Sequence, residues 1–271
     1  MIRRGLLSIV RSVYDPLGFI SPFIVKAKII FQNECRRQEN WDIQLLDHNL
    51  VLWQRWLSDL KLLQDFQISC CYTQAGLSRT ASAPLHHFCD ASQSAYAVVT
   101  YLRTVDQEGK IECSFVCGRA RLAPIKIRTI PRLELCAAVL AAHADTTVRR
   151  ELGVPLEDYV FWTDSMIVLK YIGNAGKRFH TFVVNRVSAV REVTDMKLWR
   201  RVSSEQNPVN DATRGVTASQ MLEDCVWTQG PRFIRLPPEY WPKAPQVDRE
   251  LEGDPEMKRG VTSLTSIVHR T

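Results

Sequence analysis

The sequence has no C-x-x-C pair, and no His follows its cysteines at zinc-finger spacing. A structural zinc site of the usual spacing is therefore excluded. The eight cysteines, at 35, 70, 71, 89, 113, 117, 136 and 225, read as core or free thiols of a reducing compartment. Cys113 and Cys117 are four apart in a strand-like stretch, a spacing that predicts one shared face. No apolar run approaches the ~20 residues of a membrane span. The most apolar early stretch, GFISPFIVKAKIIF, is interrupted by Pro22, Lys26 and Lys28. Met1-Ile2-Arg3-Arg4 begins no apolar core with a cleavage site, so no secretory leader is expected. The expected location is intracellular, cytoplasmic or nuclear, and not secreted. Internal repeats and low-complexity tracts are absent, which excludes solenoids and collagen-like chains.

What is present is ordinary globular composition: 45% apolar and 24% charged residues over 271 positions. Lys and Arg number 35 against 29 Asp and Glu, a formal charge of +6. That balance permits an anionic partner such as nucleic acid.

Three regions differ in character. Residues 1–80 read as mainly helical. Leu6, Leu7, Val10 and Val13 lie at helical spacing, Asp15-Pro16-Leu17-Gly18 signals a turn, and Pro22 suits the first turn of a second helix. In HNLVLWQRWLSDLKLL, Trp53, Trp56, Leu57, Leu60 and Leu63 form a stripe that reads as a core face rather than a base-stacking surface.

Residues 82–225 alternate strands and helices. Strands are expected at Leu85–Cys89, Ala95–Leu102, Ile111–Cys117, Tyr159–Thr163 and Leu198–Val202. A helix opens at Pro131 and closes at Gly153, another is capped by Ser165, and a third covers Phe179 to Val193. The order β-β-β-α-β-α-α-β predicts an α/β fold with a mixed sheet flanked by helices. Residues 226–271, rich in Pro and charge, read as a loosely ordered tail.

The acids of the middle region fall at informative places. Asp90 ends the segment LHHFC, Glu134 lies in the first turn of the Pro131 helix, and Asp164 ends YVFWT. Strand ends and neighbouring helix starts meet in one crevice of an open α/β sheet. Acids gathered there repel one another unless a cation neutralises them. Oxygen ligands suit Mg²⁺ or Mn²⁺, and two such ions about 4 Å apart can support phosphodiester cleavage.

At these residues a resemblance becomes visible. HFCDASQSAYAVVTYL, IPRLELCAA, FWTDSMIVLKYI, RFHTFVVNRV and NPVNDATRG occur in that order. Together they resemble the ribonuclease H domain of Bel/Pao-type LTR retrotransposon polyproteins. LLSIVRSVYDPLGFISPFIVKAKIIFQ resembles the segment that follows the reverse transcriptase palm in those polyproteins. The resemblance implies a ribonuclease H-like five-stranded mixed sheet flanked by helices, with a small helical N-terminal region. It implies endonucleolytic cleavage of the RNA strand of an RNA–DNA hybrid with divalent metal. The family acids match Asp90, Glu134 and Asp164, in catalytic and metal-binding roles. A fourth family acid matches Asn210, while Asp211 stands one residue on. Asn keeps an oxygen ligand but loses the charge, and a one-residue shift on a helix turns a side chain by about 100°. Weakened catalysis is thus the expectation, with a catalytically impaired nucleic-acid-binding module or a decayed transposon remnant as the alternative.

Arg132, Lys177, Arg178 and Arg186, with Arg128, are candidates for phosphate contacts, and His180 reads as merely exposed. Polymerase (Y-x-D-D), protease (D-T-G, D-S-G) and integrase zinc motifs are missing. The chain therefore reads as a polyprotein fragment, whose expected partners are the hybrid and the missing polymerase portion.

Overall fold

The computed structural model describes residues 1–69, 72, 80–152, 159–174, 178–223, 225–243, 251 and 253–258. Cys70, Cys71, Gly153 and Lys177 lie outside the described residues.

Three helices precede the sheet: α1 (Arg3–Ser12), α2 (Ser21–Arg36) and α3 (Asp47–Leu62). The turn between α1 and α2 is held by Asp15, whose carboxylate accepts from the backbone N–H of Phe19 (2.8 Å) and Ile20 (3.1 Å). Pro22 sits in the first turn of α2, where its missing N–H costs nothing.

The strands are β1 (Thr80–Ser82), β2 (Leu85–Ala91), β3 (Ala95–Asp106), β4 (Ile111–Leu122), β5 (Tyr159–Thr163) and β6 (Trp199–Arg201). The very short β1 and the longer β2 pair end to end along one edge of β3, and β4 takes its other edge. Five strand positions result, in the order β4-β3-β2-β5-β6. The first pairings are antiparallel, whereas β2-β5 and β5-β6 are parallel. This is the ribonuclease H-like mixed sheet that the resemblance implies.

Between β4 and β5 runs α4 (Ile130–Glu151); α5 (Met166–Gly173) and α6 (Thr181–Val193) follow β5. Short helices close the fold: α7 (Val209–Arg214), α8 (Ala218–Leu222) and α9 (Val226–Gln229).

Alternation along the strands divides the interior in two. Cys89, Val98 and Phe161 pack against α4, α5 and α6. Phe88, Val99, Tyr101 and Trp162 point to the other face, where they meet Leu6, Phe23, Trp53 and Trp56 of the N-terminal helices and Trp227 of α9. The Trp53–Trp56 stripe is thus core, as its spacing indicated. One apolar cluster is continuous from residues 1–66 into the sheet. Gln32 Nε2 donates to the carbonyl of Ala123 at the end of β4 (2.6 Å), and Val216 N–H donates to Pro22 (3.1 Å).

Two expectations need correction. Cys113 and Cys117 do not share a face. The β3–β4 register slips between Thr100 and Tyr101, leaving Val116 as an extra residue. This bulge reverses the side-chain alternation, so Cys113 joins the cluster around Phe115 while Cys117 joins that of Leu85 and Val116. Residues 226–241, assigned by composition to a loose tail, are packed: Trp227 and Ile234 are fully buried and Phe233 is nearly so. Their aromatic and aliphatic side chains find a sheet face to cover, which outweighs the proline count.

Candidate active site

The parallel register of β2 and β5 pairs Cys89 with Thr163. The next residues, Asp90 and Asp164, therefore stand side by side at the same end of the sheet. The charge of Asp164 is felt at Asp90. Glu134 reaches this end from the first turns of α4, which Pro131 starts. Asp90 is buried, and its carboxyl is pushed up to about 7, by desolvation first and then by the charges of Asp164 and Glu134. Glu134 is also raised, chiefly by burial, against the opposing effect of Ser165. The Ser165 hydroxyl donates to Glu134 Oε2 (2.6 Å) and accepts from Val168 N–H (3.3 Å), so the cap of α5 also orients this acid.

The opposite wall is α7. Asn207 Nδ2 donates to the carbonyl of Cys89 (3.2 Å), and Ser92 Oγ donates to the carbonyl of Thr213 (2.8 Å). These bonds bring the Thr213 hydroxyl to 3.4 Å from Asp90 Oδ2. Asn210, in the first turn of α7, commits its Nδ2 to the Ser204 carbonyl, while its Oδ1 is buried without a hydrogen-bond partner. Asp211 turns away. Its carboxylate lies 3.9 Å from Cys225 Sγ, and burial raises it. The structure therefore sets Asp90, Glu134 and Asp164 within reach of one another's charge, ties the Asn210 amide to Ser204, and turns Asp211 toward Cys225.

The donor set fits a hard divalent cation in its chemistry. The donors are all oxygen, mutually repelling, and Asp164 Oδ1 is buried with no hydrogen-bond partner. Among the described residues, no three His, Cys, Asp or Glu side chains stand in one tight metal-gripping group. Asp164 acts on Asp90 more strongly than Glu134 does, and Glu134 is tied back to Ser165.

The basic candidates have varied surroundings. Arg132 makes a double hydrogen bond to Glu256 (2.5 and 2.9 Å) and lies over the Phe182 ring. Arg128 faces the same ring at 5.2 Å. Arg186 stacks on Phe182 at 3.5 Å and donates to Cys136 Sγ (3.2 Å) and the Phe182 carbonyl (3.1 Å). Arg178 and His180 are exposed. A strap of residues 253–258 crosses this region. Phe179 bridges to Met257, Lys258 N–H donates to the Arg178 carbonyl, and Tyr171 donates to Asp254. No sequence signal marked this strap. Ser165 and Thr213, by contrast, lie inside the quoted motifs, where only their role as site contacts was unread.

Among the described residues, no helix is long and apolar enough to cross a membrane. No curated protein matches the chain. Solved structures similar to it include RNase H1 of the halophilic archaeon Halobacterium salinarum NRC-1, at 17% identity, 52% of this chain, 98% of that chain and a TM-score of 0.33. The LC11 RNase H1 in complex with an RNA/DNA hybrid is similar at 9% identity, 46% and 88% coverage, and TM-score 0.31. A foamy viral protease-reverse transcriptase in complex with double-stranded DNA is similar at 11% identity, 74% and 34% coverage, and TM-score 0.35. The family profile described as Pao retrotransposon-like RNaseH-like domain matches residues 2–165, more than half of the sequence, and the chain belongs to that family.

Proposed function

We propose that this domain binds an RNA–DNA hybrid and cleaves its RNA strand by divalent-metal phosphodiester hydrolysis, with Asp90, Glu134 and Asp164 as its acids. The observation that carries the reading is the raised carboxyl of Asp90 beside Asp164 and Glu134, a concentration of negative charge that no Lys, Arg or His among the described residues offsets at Asp90. Mg²⁺ or Mn²⁺ held by these acids would polarise the scissile phosphate and provide hydroxide near neutral pH. The protein's own part is positional. Ser165 fixes the Glu134 carboxylate, Thr213 approaches Asp90, and the buried, unpartnered Oδ1 of Asp164 is a ready donor. Asp90 is able to hold or release a proton near neutral pH, so its state responds to the charge placed beside it.

Asn210 weakens this machinery. Its amide supplies no charge, and its Nδ2 is already bound to Ser204. That observation favours a second reading, a hybrid-binding module of low activity. The test is cleavage of a labelled hybrid with Mg²⁺ or Mn²⁺ by wild type, Asn210→Asp and Asp164→Asn. Asn210→Asp should raise the rate at least tenfold, and Asp164→Asn should abolish it. Equal rates for wild type and Asn210→Asp would refute the assigned defect. No cleavage by any variant, with hybrid binding intact, would establish the binding module instead. A readout independent of activity is thermal stability: Mg²⁺ should raise the melting temperature of wild type and not of Asp90→Asn.

A further inference from the structure

The strap of residues 253–258 touches two of the helices that mount the acidic site. At its centre is Asp254-Pro255-Glu256. Pro255 fixes φ, and the Asp254 carboxylate accepts from the Glu256 N–H (2.8 Å), so the two acidic residues are braced against each other. Backbone contacts hold the strap down. His180 N–H donates to the Glu256 carbonyl (2.8 Å), and Lys258 N–H donates to that of Arg178 (2.8 Å). Leu251 is buried in the apolar cluster shared by α4, α5 and α6, and Met257 packs on the same cluster. From this base the two acids reach different helices. Asp254 accepts from the Tyr171 hydroxyl in the last turn of α5, 3.0 Å from each carboxylate oxygen. Glu256 accepts from Nε and Nη2 of Arg132 in the first turn of α4 (2.5 and 2.9 Å), and its side chain is only 7% exposed.

These contacts close a ring. Glu134, two residues after Arg132, accepts from Ser165, and Ser165 caps the start of α5. Tyr171, at the other end of α5, holds Asp254, and Pro255 joins Asp254 to the Glu256 that grips Arg132. Asp164 immediately precedes Ser165, so the ring joins the mounts of Glu134 and Asp164. Sliding or turning the start of α4 against α5 breaks at least one of these bonds. A largely buried, doubly hydrogen-bonded ion pair resists that motion better than an exposed one. We propose that Asp254 and Glu256 are positioning residues, which fix the separation of Glu134 from Asp164 for a divalent cation without touching the site. The inference rests on the metal-holding reading of the acids, but on neither hybrid binding nor cleavage. Small divalent cations demand closely set oxygen ligands, and groups that only orient such ligands change metal affinity by about 10- to 100-fold.

The test is Mn²⁺ binding by the full chain without nucleic acid, read from the electron paramagnetic resonance of the free ion. The temperature is set below the melting transition of every variant. Binding that Asp90→Asn removes is assigned to the acids. Glu256→Gln should weaken that binding about tenfold, and Asp254→Asn should weaken it severalfold. Arg132→Gln separates position from charge. If only long-range charge mattered, losing this cation would tighten Mn²⁺ binding, while losing the Glu256 anion would weaken it. A positional role weakens binding in both, and the double variant should bind no more weakly than the weaker single one. Lost stability alone lowers the melting temperature and leaves the affinity of the folded protein unchanged. Unchanged affinity in the two glutamine variants, or shifts of opposite sign, would therefore overturn the positioning role while Asp90→Asn still upholds the acid site. Equal Mn²⁺ binding by wild type and Asp90→Asn would defeat the metal-holding reading itself, and the positioning role with it.

Discussion

His86 shows how one residue sets a pH limit on the fold. It is fully buried, accepts a hydrogen bond from Trp162 Nε1 at Nδ1 (3.1 Å), and meets the edge of Trp241. Burial is the main reason that its pKa falls to about 3, with Arg103, His87 and Arg200 adding repulsion. The unfolded chain therefore binds a proton near pH 6.5 that the folded chain refuses. Stability from this residue is complete above pH 6.5 and is lost as the pH falls toward 3. His86→Asn keeps an acceptor for Trp162 without a titrating ring. The variant should lose less stability between pH 7 and pH 4 than wild type, by a few kcal/mol, measured by urea unfolding at each pH. Parallel pH profiles for the two proteins would refute this. At the same scale the acids divide cleanly. Asp90, Glu134 and Asp164 were legible because strand ends and helix starts are visible in the pattern. Whether Asp211 turned toward them was not legible, because that depends on the rotation of α7, which the contacts of Asn207 and Thr213 fix across 118 and 121 residues of chain.

At the scale of elements, the described glycines with the least room join the first turn, β4 and α9. Gly118 N–H donates to the Leu17 carbonyl (2.7 Å), and Trp227 Nε1 donates to the Gly18 carbonyl (3.0 Å). A Cβ on Gly118 would lie 2.2 Å from the Trp227 ring, and one on Gly18 would lie 1.9 Å from the Gly118 carbonyl oxygen. Gly118→Ala should therefore cost roughly 1–3 kcal/mol or more, read as a drop in melting temperature. A variant as stable as wild type would show that Trp227 can move aside. The helices and strands themselves were readable from spacing, Pro22, Pro131 and Ser165. The bulge at Val116 was not, because it is a property of the pairing between β3 and β4 rather than of either strand's residues. The packed segment 226–241 was missed for a related reason: its burial comes from a sheet face that proline content does not reveal.

For the whole molecule, the apolar cluster that joins Leu6, Phe23 and Trp53 to Phe88, Trp162 and Trp227 has one consequence for unfolding. The N-terminal helices and the sheet share a core, so they should lose structure together. Far-ultraviolet circular dichroism, which reports the helices, and tryptophan fluorescence, which reports the core, should give the same midpoint in urea. Two separated midpoints would show instead that residues 1–66 unfold independently. The composition of residues 1–80 indicated helices but not the surface they cover, because the partner face lies on strands far along the chain.

The strap of residues 253–258 has its own effect on what the neighbouring surface can hold. Glu256 occupies both outward donors of Arg132 with a carboxylate supplied by the same chain. A tethered group of this kind is present at an effective concentration on the order of millimolar, whatever the dilution of the protein. Any phosphate oxygen arriving at Arg132 meets a resident competitor that never diffuses away, so this guanidinium adds less to affinity than its position two residues before Glu134 suggests.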